Sequence, residues 1–210
     1  MMFRNSFVLA LLMMVTINVS AEYQAGFEYE LVSPAQPVTT ENKIEVLELF
    51  WYGCSHCYRL EPYLHEWLKT KPANVEYVRL PAILNDSWSI HAHAYYTAEA
   101  LGIVDKIHTP LFDVIHKDRK PIRNEESIKQ FFIEHGGVTA EEFTNAWESF
   151  SVKIKLNRAK IRGSRYGANG VPTLIVNGKY RVTGTTAGGT ANILKVVNFL
   201  IEKESKAEKK

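Results

Sequence analysis

The sequence predicts an α/β protein whose sheet domain is interrupted by an inserted all-helical domain, and three observations carry that expectation. Strand-forming runs stand at both ends of the chain, Ile44–Trp51 and Val75–Leu80 early, Thr173–Val176 and Tyr180–Val182 late. The stretch between them, residues 87–166, has helical periodicity. A helical pattern directly follows the first long strand, so strand, helix and strand form a βαβ unit with a parallel return.

The elements follow in order. Ile44-Glu45-Val46-Leu47-Glu48-Leu49-Phe50-Trp51 is apolar and rich in strand formers, which suits a central strand covered on both faces. The next helix carries Tyr58, Leu60, Tyr63, Leu64 and Trp67, with Pro62 inside it as the site of a kink. Val75 to Leu80 alternates with period two, as a second strand would. In the insertion, Ile90–Leu101 and Val104–Ile115 read as helices, with Thr109-Pro110 marking a kink or a fresh start. Asn124 opens another helix bearing Ile128, Phe131 and Phe132, closed by Gly136-Gly137. Thr139-Ala140-Glu141-Glu142 is a capping box, followed by Phe143, Ala146, Trp147 and Phe150 on one face. Asn177-Gly178 between the late strands signals a type I′ hairpin, and Thr190 to Lys203 supplies a closing amphipathic helix. The expected division is a discontinuous sheet domain, 22–86 with 167–205, around an inserted helical domain, 87–166.

The N-terminus sets the compartment. Arg4 precedes the apolar run Phe7–Ile17, and Val19-Ser20-Ala21 offers small residues at a cleavage spacing, so residues 1–21 read as a signal peptide. The run is too short to span a bilayer, which leaves, in expectation, a soluble protein exported into an oxidising space. The chain has 25 basic and 23 acidic residues, a net charge of +2 that gives no reason to expect nucleic acid. Glu202 to Lys210 is almost all charged and is expected to fray into solvent.

The chain has two cysteines, and they stand together as Cys54-Ser55-His56-Cys57, where the first long strand gives way to a helix. A helix N-terminus presents unpaired N–H groups and partial positive charge, which favour a thiolate, the form that attacks disulfides. A structural disulfide across so short a loop removes little unfolded-state entropy. Tetrahedral zinc needs four ligands, and there is no second cysteine pair, although His56, His91 and His93 could be gathered by folding. Redox chemistry is the favoured reading, with a non-catalytic metal-binding module as its rival from another class. No cofactor and no bound metal are expected.

Several stretches together resemble the DsbA family of periplasmic thiol:disulfide oxidoreductases, which have a thioredoxin-like fold with a helical insertion. They are Leu47-Glu48-Leu49-Phe50, His56-Cys57-Tyr58, Pro110-Leu111-Phe112, Ala146-Trp147 with Ser149-Phe150, Val171-Pro172-Thr173 and Val176-Asn177-Gly178-Lys179-Tyr180. The resemblance implies an oxidase that donates the Cys54–Cys57 disulfide to newly exported cysteine-containing proteins. Cys54 would be attacked first, and Cys57 would be the buried resolving cysteine. It further implies a monomer, reoxidised by a DsbB-like membrane quinone reductase. A reductase or isomerase is the alternative within the same chemistry.

The resemblance also assigns supporting residues. Val171-Pro172 matches a loop whose proline is cis and packs beside the dithiol, where the Val171 backbone would meet a substrate peptide. Glu48 would lie beneath the active site near Cys57, where burial raises its pKa and suits it to proton transfer. Arg79 stands roughly where the family has a lysine, and could pair with Glu48 but not release a proton. Ser55 stands where the family often has proline.

Lowering a thiol from about 8.5 to about 5 requires roughly 5 kcal/mol. A helix terminus supplies about 0.3 to 2 kcal/mol, so charge-assisted hydrogen bonds from first-turn N–H groups and the His56 ring must supply the rest. His56→Ala is therefore expected to raise the Cys54 pKa. His91 and His93 read as solvated helix histidines, and Trp51, Tyr52 and Tyr58 as aromatic surface around the dithiol or as core.

Overall fold

The computed structural model describes residues 23–207, so the expected signal peptide lies outside the described residues. Five strands form one mixed sheet in the order β1-β5-β4-β2-β3, with β1 Glu30–Leu31, β2 Ile44–Phe50, β3 Val75–Pro81, β4 Thr173–Val176 and β5 Tyr180–Thr183. β2 and β3 are parallel, while β4 is antiparallel to both β2 and β5. Helix α1 Ser55–Thr70 makes the β2–β3 crossover and runs on through Pro62. β1 is a two-residue edge strand on β5, too short for its pattern to show in the sequence.

The side-chain alternation of β2 divides the core. Ile44 and Val46 join Leu60 and Leu64 of α1 and Val196, Val197 and Leu200 of α7 Ile193–Ala207. Leu47 and Leu49 belong to a second cluster that continues into the helices between β3 and β4. Every residue of β2 is buried, Glu45 and Glu48 included, as expected of a central strand covered on both faces. Glu45, on the second face, is held by Arg162 at 2.5 Å and by the Thr39 hydroxyl at 2.5 Å and backbone N–H at 2.8 Å. A buried charge is tolerated there because it is paired and hydrogen-bonded.

The intervening helices are α2 Ser89–Ala100, α3 Val104–His116, α4 Glu125–Phe131, α5 Ala140–Trp147 and α6 Phe150–Arg165. Both expected N-terminal signals form: Asn124 caps α4, and Thr139 with Glu142 makes a reciprocal capping box on α5. Gly137 takes a left-handed conformation after a π turn, Phe132–Gly136, that extends α4. Two expectations are corrected. α3 is one helix through Pro110 with no fresh start, and Phe150 leaves the α5 face because Ser149 caps a new helix. In the late hairpin Asn177 and Gly178 both have positive φ, and Lys179 N–H donates to the Val176 carbonyl at 3.0 Å, as a type I′ turn requires. A Cβ on Gly178 would collide with the Gln36 carbonyl, so the position needs glycine on steric as well as conformational grounds.

The C-terminal segment does not fray at Glu202. α7 continues to Ala207 because Glu204 is buried and accepts from Asn177 Nδ2 at 2.5 Å, Lys179 Nζ at 2.6 Å and Tyr180 Oη at 3.0 Å. Burial opposes ionisation of Glu204, but these donors hold its carboxyl below the usual range. Glu204→Ala is expected to destabilise the protein by about 2 kcal/mol, read from urea unfolding, since it removes hydrogen bonds to a charged group and strands their donors.

Candidate active site

The dithiol is built by the transition from β2 to α1. The chain leaves the sheet through Trp51, Tyr52 and Gly53, and Cys54 is the N-cap residue of α1 in extended conformation. Gly53 is required here, because a Cβ would run into the Trp51 ring, which is stacked on Trp88 at 4.3 Å and 4°. The second cysteine is one turn into the helix, and it is fully buried while Cys54 is partly exposed. Both are free thiols in this structure.

The hydrogen bond between the two sulfurs shifts them in opposite directions, while burial raises both. Cys54 is lowered from the ordinary thiol value of 9.0 to about 6, chiefly because the Cys57 thiol donates to it. Partial burial opposes this, while the backbone N–H groups of Cys57 and His56 add to it. Cys57 is pushed well above its ordinary value, first by burial, then by its hydrogen bond to Cys54 and by the charge of Glu48. The asymmetry is the one expected of a helix N-terminus whose first residue faces outward and whose next turn faces the core.

The His56 ring does not supply the expected bond to sulfur. It is exposed, and its Nδ1 accepts from the Arg59 guanidinium at 2.9 Å, so its direct effect on Cys54 is chiefly through the backbone, with the ring a weak coulombic contributor. Ser55 is the first residue of α1 and is exposed.

The Val171–Pro172 peptide bond is cis, and the Cys54 thiol donates to the Val171 carbonyl at 3.3 Å. The start of β4 is thereby set beside the dithiol. A groove of about 640 Å³ begins there, lined by His56, Arg59, Val171, Pro172, Thr185 and Thr186 among others. Ser33–Pro34 is also cis, with no signal in the sequence.

Beneath the dithiol lies a buried ionisable cluster. Glu48 is fully buried on the β2 face covered by α1 and is pushed up to about 8 by burial, with the charge of Glu61 adding to the shift and that of Arg79 opposing it. Tyr77 Oη donates to Glu48 Oε2, and Oε1 has no hydrogen-bond partner. Arg79 is the register partner of Glu48 on β3, yet its ion pair is with Glu61 of α1, at 3.9 Å. The expected Glu48–Arg79 pair is thus replaced by a triad. Glu61 is a residue that sequence reasoning missed; its only signal is a carboxylate two turns into α1, on the helix side that faces Glu48. His108 of α3 reaches Glu61 Oε1 at 3.2 Å through Nε2 and the Tyr52 hydroxyl at 2.9 Å through Nδ1. Burial raises Glu61, but His108 and Arg79 outweigh it and hold the carboxyl below its ordinary value. Glu61 also lines an open cleft of about 1120 Å³ between α1 and α3.

The remaining histidines and aromatics are structural. His91 is buried, with Nε2 donating to the Ile122 carbonyl at 2.7 Å, and His93 donates to the Trp147 carbonyl at 2.8 Å while stacking on the Trp147 ring at 3.5 Å. Neither is solvated as expected, because α2 is enclosed by its neighbours. Tyr52 is core rather than exposed surface, whereas Tyr58 is partly exposed and donates to Asp113 at 2.7 Å. Among the described residues no three or more His, Cys, Asp or Glu side chains are grouped as a metal ion would need, and no helix is long and apolar enough to cross a membrane.

A thioredoxin-like sheet, with a CxxC dithiol at the N-terminus of its crossover helix and a cis-proline loop alongside, defines a thiol:disulfide oxidoreductase. Residues 74–191 match the model of the DSBA-like thioredoxin domain family. The thiol:disulfide interchange protein DsbA of Pseudomonas aeruginosa is 40% identical over 211 residues, covering 99% of this chain and 100% of that one. DsbA of Azotobacter vinelandii is 41% identical over 188 residues, covering 90% and 87%. The crystal structure of the P. aeruginosa protein superposes with a TM-score of 0.84 at 42% identity, covering 90% of this chain and 97% of that one; DsbA of Xylella fastidiosa gives 0.81 at 28%, covering 88% and 98%. The chain belongs to the DsbA family.

Titration of the reduced protein by thiolate absorbance should give one group near pH 6. Because this pKa lies below that of the unfolded thiol, the reduced form gains stability that is complete above about pH 9 and is lost as pH falls through about 6. His56→Ala should leave most of the depression in place, since alanine keeps the backbone N–H; a return toward 9 would show that the ring carries it.

Proposed function

We propose that the protein is a periplasmic disulfide donor, in which Cys54 is the exchanging cysteine and Cys57 the resolving one. The observation that carries this reading is the opposed shift of the two thiols, Cys54 down to about 6 and Cys57 well up. A substrate thiolate attacks Cys54 Sγ, the Cys54–Cys57 bond breaks, and a mixed disulfide forms with the electron pair left on Cys57. A second substrate thiolate then attacks the substrate sulfur bonded to Cys54, forming the substrate disulfide and releasing Cys54 as a thiolate. Two substrate thiols have been oxidised and the enzyme disulfide reduced. Stabilisation of the Cys54 thiolate favours this direction, because it stabilises the reduced enzyme.

Burial disfavours the thiolate that the first step leaves on Cys57. Glu48, protonated at neutral pH by its own burial, is the proton donor within electrostatic reach, and the structure leaves its Oε1 without a partner. The groove beside Val171 and Pro172 suits an extended substrate segment recognised through its main chain, which tolerates many sequences. Newly exported cysteine-containing proteins are the substrates this fits; reoxidation by a DsbB-like membrane quinone reductase and action as a monomer complete the proposal, with family membership as their support.

The oxidised protein, mixed at neutral pH with a reduced peptide carrying two cysteines, is expected to oxidise it far faster than the reduced protein reduces insulin. Cys57→Ser should accumulate a mixed disulfide through Cys54; trapping through position 57 in a Cys54→Ser variant instead would reverse the assignment. Glu48→Gln should slow opening of the enzyme disulfide by about 10²-fold, toward the lower end of general acid catalysis. After correction for substrate ionisation, the wild-type rate should decline above about pH 8, where Glu48 loses its proton, whereas Glu48→Gln should show no such inflection.

A further inference from the structure

Helix α6 packs on the second core cluster through Val152, Ala159 and Gly163, and its outer side has a composition that neither the fold nor the exchange reaction uses. Phe150 is 77% exposed and Ile161 53%, and the partly exposed Ile154 lies between them on the same crest at the i, i+4, i+11 spacing. Lys153 and Lys160, two turns apart, flank the crest on one side, and Arg158 and Arg165, also two turns apart, flank it on the other. α6 contains no acidic residue. Three carboxylates reach α6 from neighbouring elements, Glu45 on Arg162, Glu99 on Lys155 and Asp86, in a long, exposed contact of 3.8 Å, on Lys160, and the exposed Glu148 stands just before the Ser149 cap. Lys153, Arg158 and Arg165 have no ion-pair partner among the described residues.

The same surface continues past Ile161 into a groove of about 380 Å³ with Pro37, Val38 and Tyr166 on its walls and Arg158 and Arg165 on its rim. Val38 is itself exposed. An apolar crest with cations on both sides and a fatty groove at one end is the pattern of a helix lying in the interface of a bilayer, its large side chains among acyl chains and its Lys and Arg heads at the phosphates. A convex helix crest does not enclose a peptide, and the absence of acidic groups on α6 matches an anionic surface rather than a mixed protein face.

We propose that α6 docks the protein reversibly on anionic phospholipid membrane, with Phe150, Ile154 and Ile161 entering the interface and Lys153, Arg158, Lys160 and Arg165 on the headgroups. The protein lacking residues 1–21 should co-sediment with vesicles of phosphatidylglycerol and phosphatidylethanolamine, bind phosphatidylcholine vesicles much less, and dissociate as salt is raised. Phe150→Ser with Ile161→Ser, and separately Arg158→Glu with Arg165→Glu, should each weaken vesicle binding about tenfold or more. Both should leave oxidation of a soluble dithiol peptide unchanged, which also shows that the variants fold. Equal binding to the two vesicle types, no vesicle binding at all, or wild-type binding by both correctly folded variants would overturn the proposal.

Discussion

One helical turn separates two sulfurs whose tolerance for negative charge is opposite, and the rest of the site is arranged around that separation. Cys54 caps α1, where N–H groups have no helical partner, and Cys57 is carried inward by the first turn until it is fully buried. Their linkage is mutual: the hydrogen bond that lowers Cys54 raises Cys57, so each shift reinforces the other. The helix terminus alone could not produce a shift of this size. It is the second thiol, acting as a donor in a partly dehydrated site, that makes up most of the difference. A dithiol is thus its own electrostatic device once one member is buried.

The helical insertion does more than cover the sheet. α3 sends His108 to Tyr52 and Glu61, Asp113 to Tyr58, and His116 to the Tyr52 carbonyl at 2.8 Å. These contacts fix the loop that delivers Cys54 and the first two turns of α1. Phe112 packs against Phe50, Tyr52 and Tyr58 in the same place, so a hydrophobic anchor backs the polar ones. Position at the dithiol therefore depends on two segments far apart in sequence, α3 and the turn before β4, both meeting the start of α1.

The fold was legible wherever local patterning and burial agreed. β2 is apolar at five of its seven positions because both its faces are covered, and the caps at Asn124 and Thr139 mark their helices through side-chain chemistry that is itself local. That Cys54, Cys57 and the Val171–Pro172 loop lie together was legible because a motif and its order along the chain carried them. What escaped was non-local. Glu204 reads as part of a charged tail until the hairpin supplies three donors, and Phe150 reads as core until Ser149 restarts the helix. His56 shows the same limit at the site, since nothing in the motif reveals that Arg59 claims its ring. Glu61 and His108 are invisible for a related reason: their meaning is each other, across 47 residues.

The protonation of Glu48 follows from charge counting in that buried cluster. Two carboxylates, Glu48 and Glu61, share one permanent cation, Arg79, in surroundings where an unpaired charge is costly. One of them ionises at little cost, and the choice is settled by neighbours. Glu61 has the guanidinium, the His108 ring and an open cleft at its side, whereas Glu48 is fully enclosed and bonded only by Tyr77. Glu61 therefore takes the charge and Glu48 keeps its proton. Arginine at position 79 sharpens the result, because burial would drive a proton from a lysine, whereas a guanidinium stays charged beside the ionised Glu61. With the cation fixed, the protons free to move beneath the dithiol are those of Glu48 and Cys57, and the one on Glu48 is the more readily given up of the two.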